Sequence, residues 1–108
     1  MHFGEEHEKT ADSYFSLGVT QYQMHDYKAA LESHQRALAI RINLFGEEHE
    51  STADSYRELG PTHHEMHDYK AAHQSHQRAL ATVGFHMTSL KFKLQNYRSY
   101  WNFTFMMY

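Results

Sequence analysis

"FGEEHEKTADSYFSLGVTQYQMHDYKAALESHQRALAI" fills Phe3–Ile40, and "FGEEHESTADSYRELGPTHHEMHDYKAAHQSHQRALAT" fills Phe45–Thr82. The offset is 42 residues, and from Phe3 to Ile42 about 28 of 40 positions are identical in the two copies. Identity at this level and period marks a chain built by stacking one supersecondary unit on its own copy, because each unit alone is too small to bury its apolar face.

Each unit reads as two helices. Ala11, Tyr14, Leu17, Gly18, Gln21 and Met24 recur at helical spacing and define the first. His25-Asp26 breaks the pattern, and Asp26 has the side chain of an N-cap for the next helix. Tyr27, Ala30, Leu31, His34, Ala37, Leu38, Ile42 and Phe45 then line one face of the second helix, with Gly46 as its C-cap. Unit two repeats the plan: a first helix from about Glu50 to Met66, and a second from Tyr69 to about Val83, stopped by Gly84. Antiparallel helices approach closely where residues are small, which explains Gly18, Ala30 and Ala37. A glycine inside a helix costs ~1 kcal/mol relative to alanine, so its presence in both units (Gly18 and Gly60) points to close packing. Two differences weaken unit two. Pro61 removes the hydrogen bond to the Arg57 carbonyl, so a kink or a helix split near Gly60-Pro61 is expected, and His73 replaces Leu31 on the packing face.

The 108 residues leave room for one small domain, with 11 histidines, no cysteine and a formal charge of −3. The absence of cysteine excludes disulfides and thiolate metal sites. The polar, acidic start "MHFGEEHEKT" is not a signal peptide, no apolar run approaches the ~20 residues that span a bilayer, and nothing global favours nucleic acid. The expectation is a soluble, cytoplasmic chain with no membrane association. All 13 acids lie before residue 85, whereas residues 85–108 hold half of the 16 aromatics and no acid. This tail has no match to the repeat. Its "LKFKL" alternates like a strand and "LQNYRSYW" could form a helical turn or two. It reads as a cap over unit two or as a truncated end, and in either case it should pack on the second helix of that unit.

The pattern "SYFSLGVTQYQMHDYKAALESHQRAL" resembles a tetratricopeptide repeat. Leu17-Gly18, Tyr27, Ala30 and Ala37 match that family's packing residues, as do Leu59-Gly60, Tyr69, Ala72 and Ala79. The 42-residue spacing, with its "FGEEHEKTA" linker, is similar to the kinesin-light-chain subtype, to nephrocystin-type proteins and to the sensor arms of some innate-immune-like ATPases. The resemblance covers residues 3–84, as units 3–44 and 45–84. It implies an all-α solenoid of antiparallel helix pairs with an off-pattern C-terminal tail (85–108), a fragment of a larger adaptor or sensor. Its first helices would line a concave groove for a protein or peptide partner. The groove-facing positions it implies are Asp12, Phe15, Val19, Tyr22 and Gln23 in unit one, and Asp54, Arg57, Pro61, His64 and Glu65 in unit two. Four of these five pairs differ between the copies while the packing residues are fixed, as expected of a constant scaffold with a variable binding face.

Chemistry is weakly represented. His63, His64 and His67 cluster near a helix end and could bind zinc or nickel with Glu65 or Asp68. Yet "HEMH" is one residue short of the HExxH spacing of zinc proteases. The pairs Glu5-Glu6 and Glu47-Glu48 read as solvated carboxylates at helix starts. There is no phosphate loop and no nucleophile constellation, so the expectation is no catalytic residues and no cofactor. Self-association through exposed terminal helices stays open, as does a piece with no independent function, since two repeats fall below the ~3 that stable solenoids generally need.

Overall fold

The computed structural model describes residues 7–82, which form four helices. The expectations for Glu5-Glu6, for Val83 and Gly84 and for the tail lie outside these residues. Helix α1 is Glu8–Gln23, α2 is Tyr27–Phe45 and α3 is Glu50–Glu65. A fourth helix, α4, occupies residues 69–82. Neighbouring helices pack in chain order, α1 on α2 and α2 on α3, while α1 and α3 touch only lightly. This is the all-α helix-pair repeat expected from the sequence, with no strand among the described residues.

The turn written "MHD" ends one helix and begins the next. His25 donates its N–H to the Tyr22 carbonyl and Asp26 to the Gln21 carbonyl (both 2.9 Å). Together these bonds close a Schellman motif. The position between them needs a left-handed backbone, and His25 takes it at φ 64°. Glycine usually fills this place because a side chain is disfavoured there. Here the imidazole shares a 2.6 Å hydrogen bond, through Nδ1, with the Tyr27 hydroxyl. Asp26 Oδ1 then accepts from the Ala29 N–H, capping α2 as expected. The second copy repeats every part: His67 at φ 63°, its bond to the Tyr69 hydroxyl at 2.8 Å, and Asp68 accepting from Ala71. At the other end of α2, Gly46 adopts φ 87° and donates to the Ile42 carbonyl.

The starts of α1 and α3 are capped by histidines, which the sequence alone did not disclose. His7 Nδ1 accepts from the Lys9 N–H and His49 Nδ1 from the Ser51 N–H, each at 3.0 Å. Each ring therefore carries its proton on Nε2 when neutral.

The core is built from small residues. Ala11, Ala30, Ala37 and Ala53 are fully buried, with Leu59, Ala72 and Ala79 close behind. Gly18 lets the two helices of unit one close on a ring rather than on each other's backbone: a Cβ there would fall 2.6–2.8 Å from His34 ring atoms. Gly60 has the same relation to His76. His34 is fully buried with neither ring nitrogen hydrogen-bonded, and burial, with a smaller contribution from Arg41, lowers its pKa to about 4. It therefore packs as a neutral aromatic ring, edge-on to Phe15 at 5.4 Å.

The expected split at Gly60-Pro61 does not occur, since α3 continues through Pro61 to Glu65. Proline removes one N–H, but Leu59, Gly60 and Thr62 around it are buried, and their packing keeps the helix continuous. His73, the counterpart of half-buried Leu31, is exposed rather than packed.

Candidate functional site

Arg41 organises the junction between the units. It is 7% exposed. Its Nη1 donates to the Ser51 carbonyl (3.0 Å) and to Ser55 Oγ (3.1 Å), and its Nη2 to Asp12 Oδ1 (3.1 Å). Its guanidinium also lies 4.6 Å from the centre of the Phe15 ring. One side chain thus ties α1, α2 and α3 together, with hydrogen bonds compensating the buried charge. The signal for it was present: a charge at position 41 inside the apolar series 34, 37, 38, 42 and 45.

Two of the implied groove residues, Asp12 and Phe15, are engaged by this junction. Asp12 is exposed apart from its ion pair with Arg41, and Phe15 is half-buried between His34 and Arg41. Val19 is half-buried and Gln23 exposed. Tyr22 packs edge-on against Tyr27 at 5.3 Å. Its phenol pKa is raised, first by burial and then by the carboxylate of Glu65, with Tyr27 and Glu58 adding to it. Tyr22 of α1 and Glu65 of α3, 43 positions apart in sequence, therefore face one region.

On α3, Arg57 pairs with Asp54 at 3.0 Å, both partly exposed. His64 and Glu65 are exposed. Glu58, which the resemblance did not single out, is half-buried: burial raises its carboxyl pKa, Asp54 adds to the rise and Arg57 opposes it. Its signal was the mismatch with Ser16.

The three histidines near the end of α3 have separate partners. His63 Nδ1 is 3.9 Å from Asp68 Oδ2, His64 packs edge-on against Tyr69 at 5.1 Å, and His67 bonds the Tyr69 hydroxyl. Among the described residues no three His, Asp or Glu side chains are grouped to hold a metal ion.

Glu47 corrects the reading of the linker carboxylates as merely solvated. It accepts from the Tyr56 hydroxyl at 2.9 Å and lies 3.5 Å from Arg78 Nη1, bridging α3 and α4. Burial, reinforced by the bond to Glu47, pushes the Tyr56 pKa up to about 12.

Among the described residues no helix is long and apolar enough to cross a membrane. A family model described as Tetratricopeptide repeat matches residues 2–43 and again residues 22–83. No curated protein and no solved structure gives a significant match to the chain.

Proposed function

Because the chain belongs to the tetratricopeptide repeat family, whose repeats are non-enzymatic scaffolds for protein–protein interaction, we propose that this chain binds a peptide segment across α1 and α3. Asp12, Phe15, Val19, Tyr22 and Gln23 contribute from α1, and Asp54, Arg57, His64 and Glu65 from α3. The reading is supported above all by Tyr22, a half-buried ring packed on Tyr27 whose phenol pKa is raised by burial and by the α3 carboxylate of Glu65. An aromatic ring next to a charge on a preformed surface offers both contact area and orientation at low entropic cost. Four of the five pairs, all but Asp12/Asp54, diverge between units whose packing residues match, which supports the same conclusion. The proposal places the chain in the cytoplasm, as a kinesin-light-chain-like fragment of a larger adaptor or sensor, and needs no cofactor.

The test is a peptide-library capture comparing the wild type with Tyr22→Ala and with Glu65→Lys. Selective loss of captured peptides in both variants is expected, with the helical circular dichroism spectrum retained. Equal capture by all three proteins would remove the groove from consideration.

A further inference from the structure

The internal repeat contains its own docking template. Within the chain, α3 sits on α2, and Leu38 of α2 and Leu59 of α3 line one cavity between α2, α3 and α4, together with Gln35 and Tyr56. Leu59 is 3% exposed there. Shifting by the 42-residue period gives the outer faces of the two units. Leu17, the counterpart of Leu59, is 46% exposed on α1, and Leu80, the counterpart of Leu38, is 66% exposed on α4. Ser13, the counterpart of buried Ser55, is exposed as well, and Gln77 is exposed as its counterpart Gln35 is.

Beside Leu80 lies an open depression of about 400 Å³ lined by Arg57, His76, Ala79 and Leu80. These residues sit one period on from Phe15, His34, Ala37 and Leu38. In unit one that place is closed by Arg41 over Phe15 and by α3.

We propose that two copies of this chain associate head to tail, with the outer face of α1 of one copy seated on the outer face of α4 of the other, as α3 is seated on α2. The occupant follows from the sequence: α1 offers "TADSY" and Leu-Gly in the register in which α3 offers them to α2. Such a contact is heterologous, so each added copy leaves both faces available for the next. It lacks one anchor of its template, because Val83 stands where Arg41 would be. The junction between copies is therefore weaker than the junction within the chain and depends on concentration.

The test is sedimentation velocity on the 108-residue protein at low and high micromolar concentration, with Leu17→Glu and Leu80→Glu. Both leucines are exposed, and circular dichroism verifies that the fold is kept. The wild type is expected to form a concentration-dependent series, and each variant alone to be monomeric. An equimolar mixture of the two is expected to stop at a dimer, because it contains one intact α1 face and one intact α4 face. Ser13→Arg mixed with Gln77→Arg tests the polar edge of the contact in the same way. A monomeric wild type, as when residues 83–108 cover α4 within the same copy, overturns the proposal. So does a monomeric mixture, or association that only one of the two leucine substitutions affects, which would indicate a symmetric contact.

Discussion

Alanine at Gly18 and alanine at Gly60 are the same substitution in nearly the same sequence, yet the structure assigns them different consequences. At Gly18 the added Cβ falls 2.6–2.8 Å from three atoms of the His34 ring. That ring is fully buried and held against Phe15, so it has nowhere to retreat. Overpacking of this kind costs ~1–3 kcal/mol, while replacing glycine by alanine in a helix returns ~1 kcal/mol. The net is a loss of about 1 kcal/mol, rising to about 2 if the helices must separate. At Gly60 the clash distances are 2.4–2.7 Å, but the obstacle is the ring of His76, which is exposed and free to swing outward. There most of the helix-propensity gain survives. For a domain of this size 1 kcal/mol moves Tm by ~4–8 °C. Thermal melts followed by far-ultraviolet circular dichroism should place Gly18→Ala roughly 5–10 °C below the wild type and Gly60→Ala level with it or above. Equal lowering at both sites would show that these glycines serve something other than a seat for the ring, and stabilisation at both would show that the ring does not rest on Gly18.

His34 predicts acid sensitivity. Its folded-state pKa of about 4 lies below the ordinary 6.5, so the unfolded chain takes up the proton first. Its contribution is fully present above about pH 6.5 and is lost as the pH falls toward 4, amounting to ~1–2 kcal/mol at pH 5 once solvent screening in so thin a fold is allowed for. Denaturant titrations at neutral and acid pH measure the loss, and NMR should show the His34 ring uncharged at pH 5; a midpoint near 6.5 refutes the assignment. Arg41→Ala should destabilise by ~2–4 kcal/mol, since it strands Ser55 and removes the tie to Asp12, and Arg41→Lys should recover less than half of that because lysine cannot serve three acceptors from a planar fork; full recovery by lysine in a chemical melt contradicts this geometry. Pro61→Val, which installs the residue of unit one, restores the N–H toward the Arg57 carbonyl and should raise stability by ~1–2 kcal/mol; an unchanged melting midpoint would mean that α3 already accommodates the lost bond at no cost.

The repeat, the helix pairs, the aspartate caps and the need for small residues at positions 18 and 60 could all be read from the sequence, because periodicity and capping are local properties. The histidines were legible only in part: His25 and His67 read as turn residues and His34 as a packing residue, but what each ring does there did not show. Three of them recur at the 42-residue spacing, as His7/His49, His25/His67 and His34/His76. They respectively cap a helix, hold a left-handed turn and lie over a glycine. Imidazole is not the usual residue for any of these tasks, so residue preference pointed elsewhere. Pro61 shows the opposite case: local cost indicated a kink or a split, and with its neighbours buried the helix does not split. In the candidate site, only positions on a helix face were legible in the sequence. They could not show that Arg41 reaches across to occupy Asp12 and cover Phe15, because that bond joins residues 29 positions apart.

The threefold grip of Arg41 also determines how the chain comes apart. In a stack of repeats, cooperativity resides in the interfaces between units. With α1, α2 and α3 tied by one guanidinium, opening any of the three strands a buried charge, so they open together. Among the described residues α4 is held by no buried charge, only by the exposed Glu47–Arg78 pair, and Tyr69 and Leu80 leave much of its length to solvent. Amide exchange should accordingly divide the molecule in an unexpected place. The boundary would fall between α3 and α4, inside the second repeat, rather than between the two repeats that the sequence spells out.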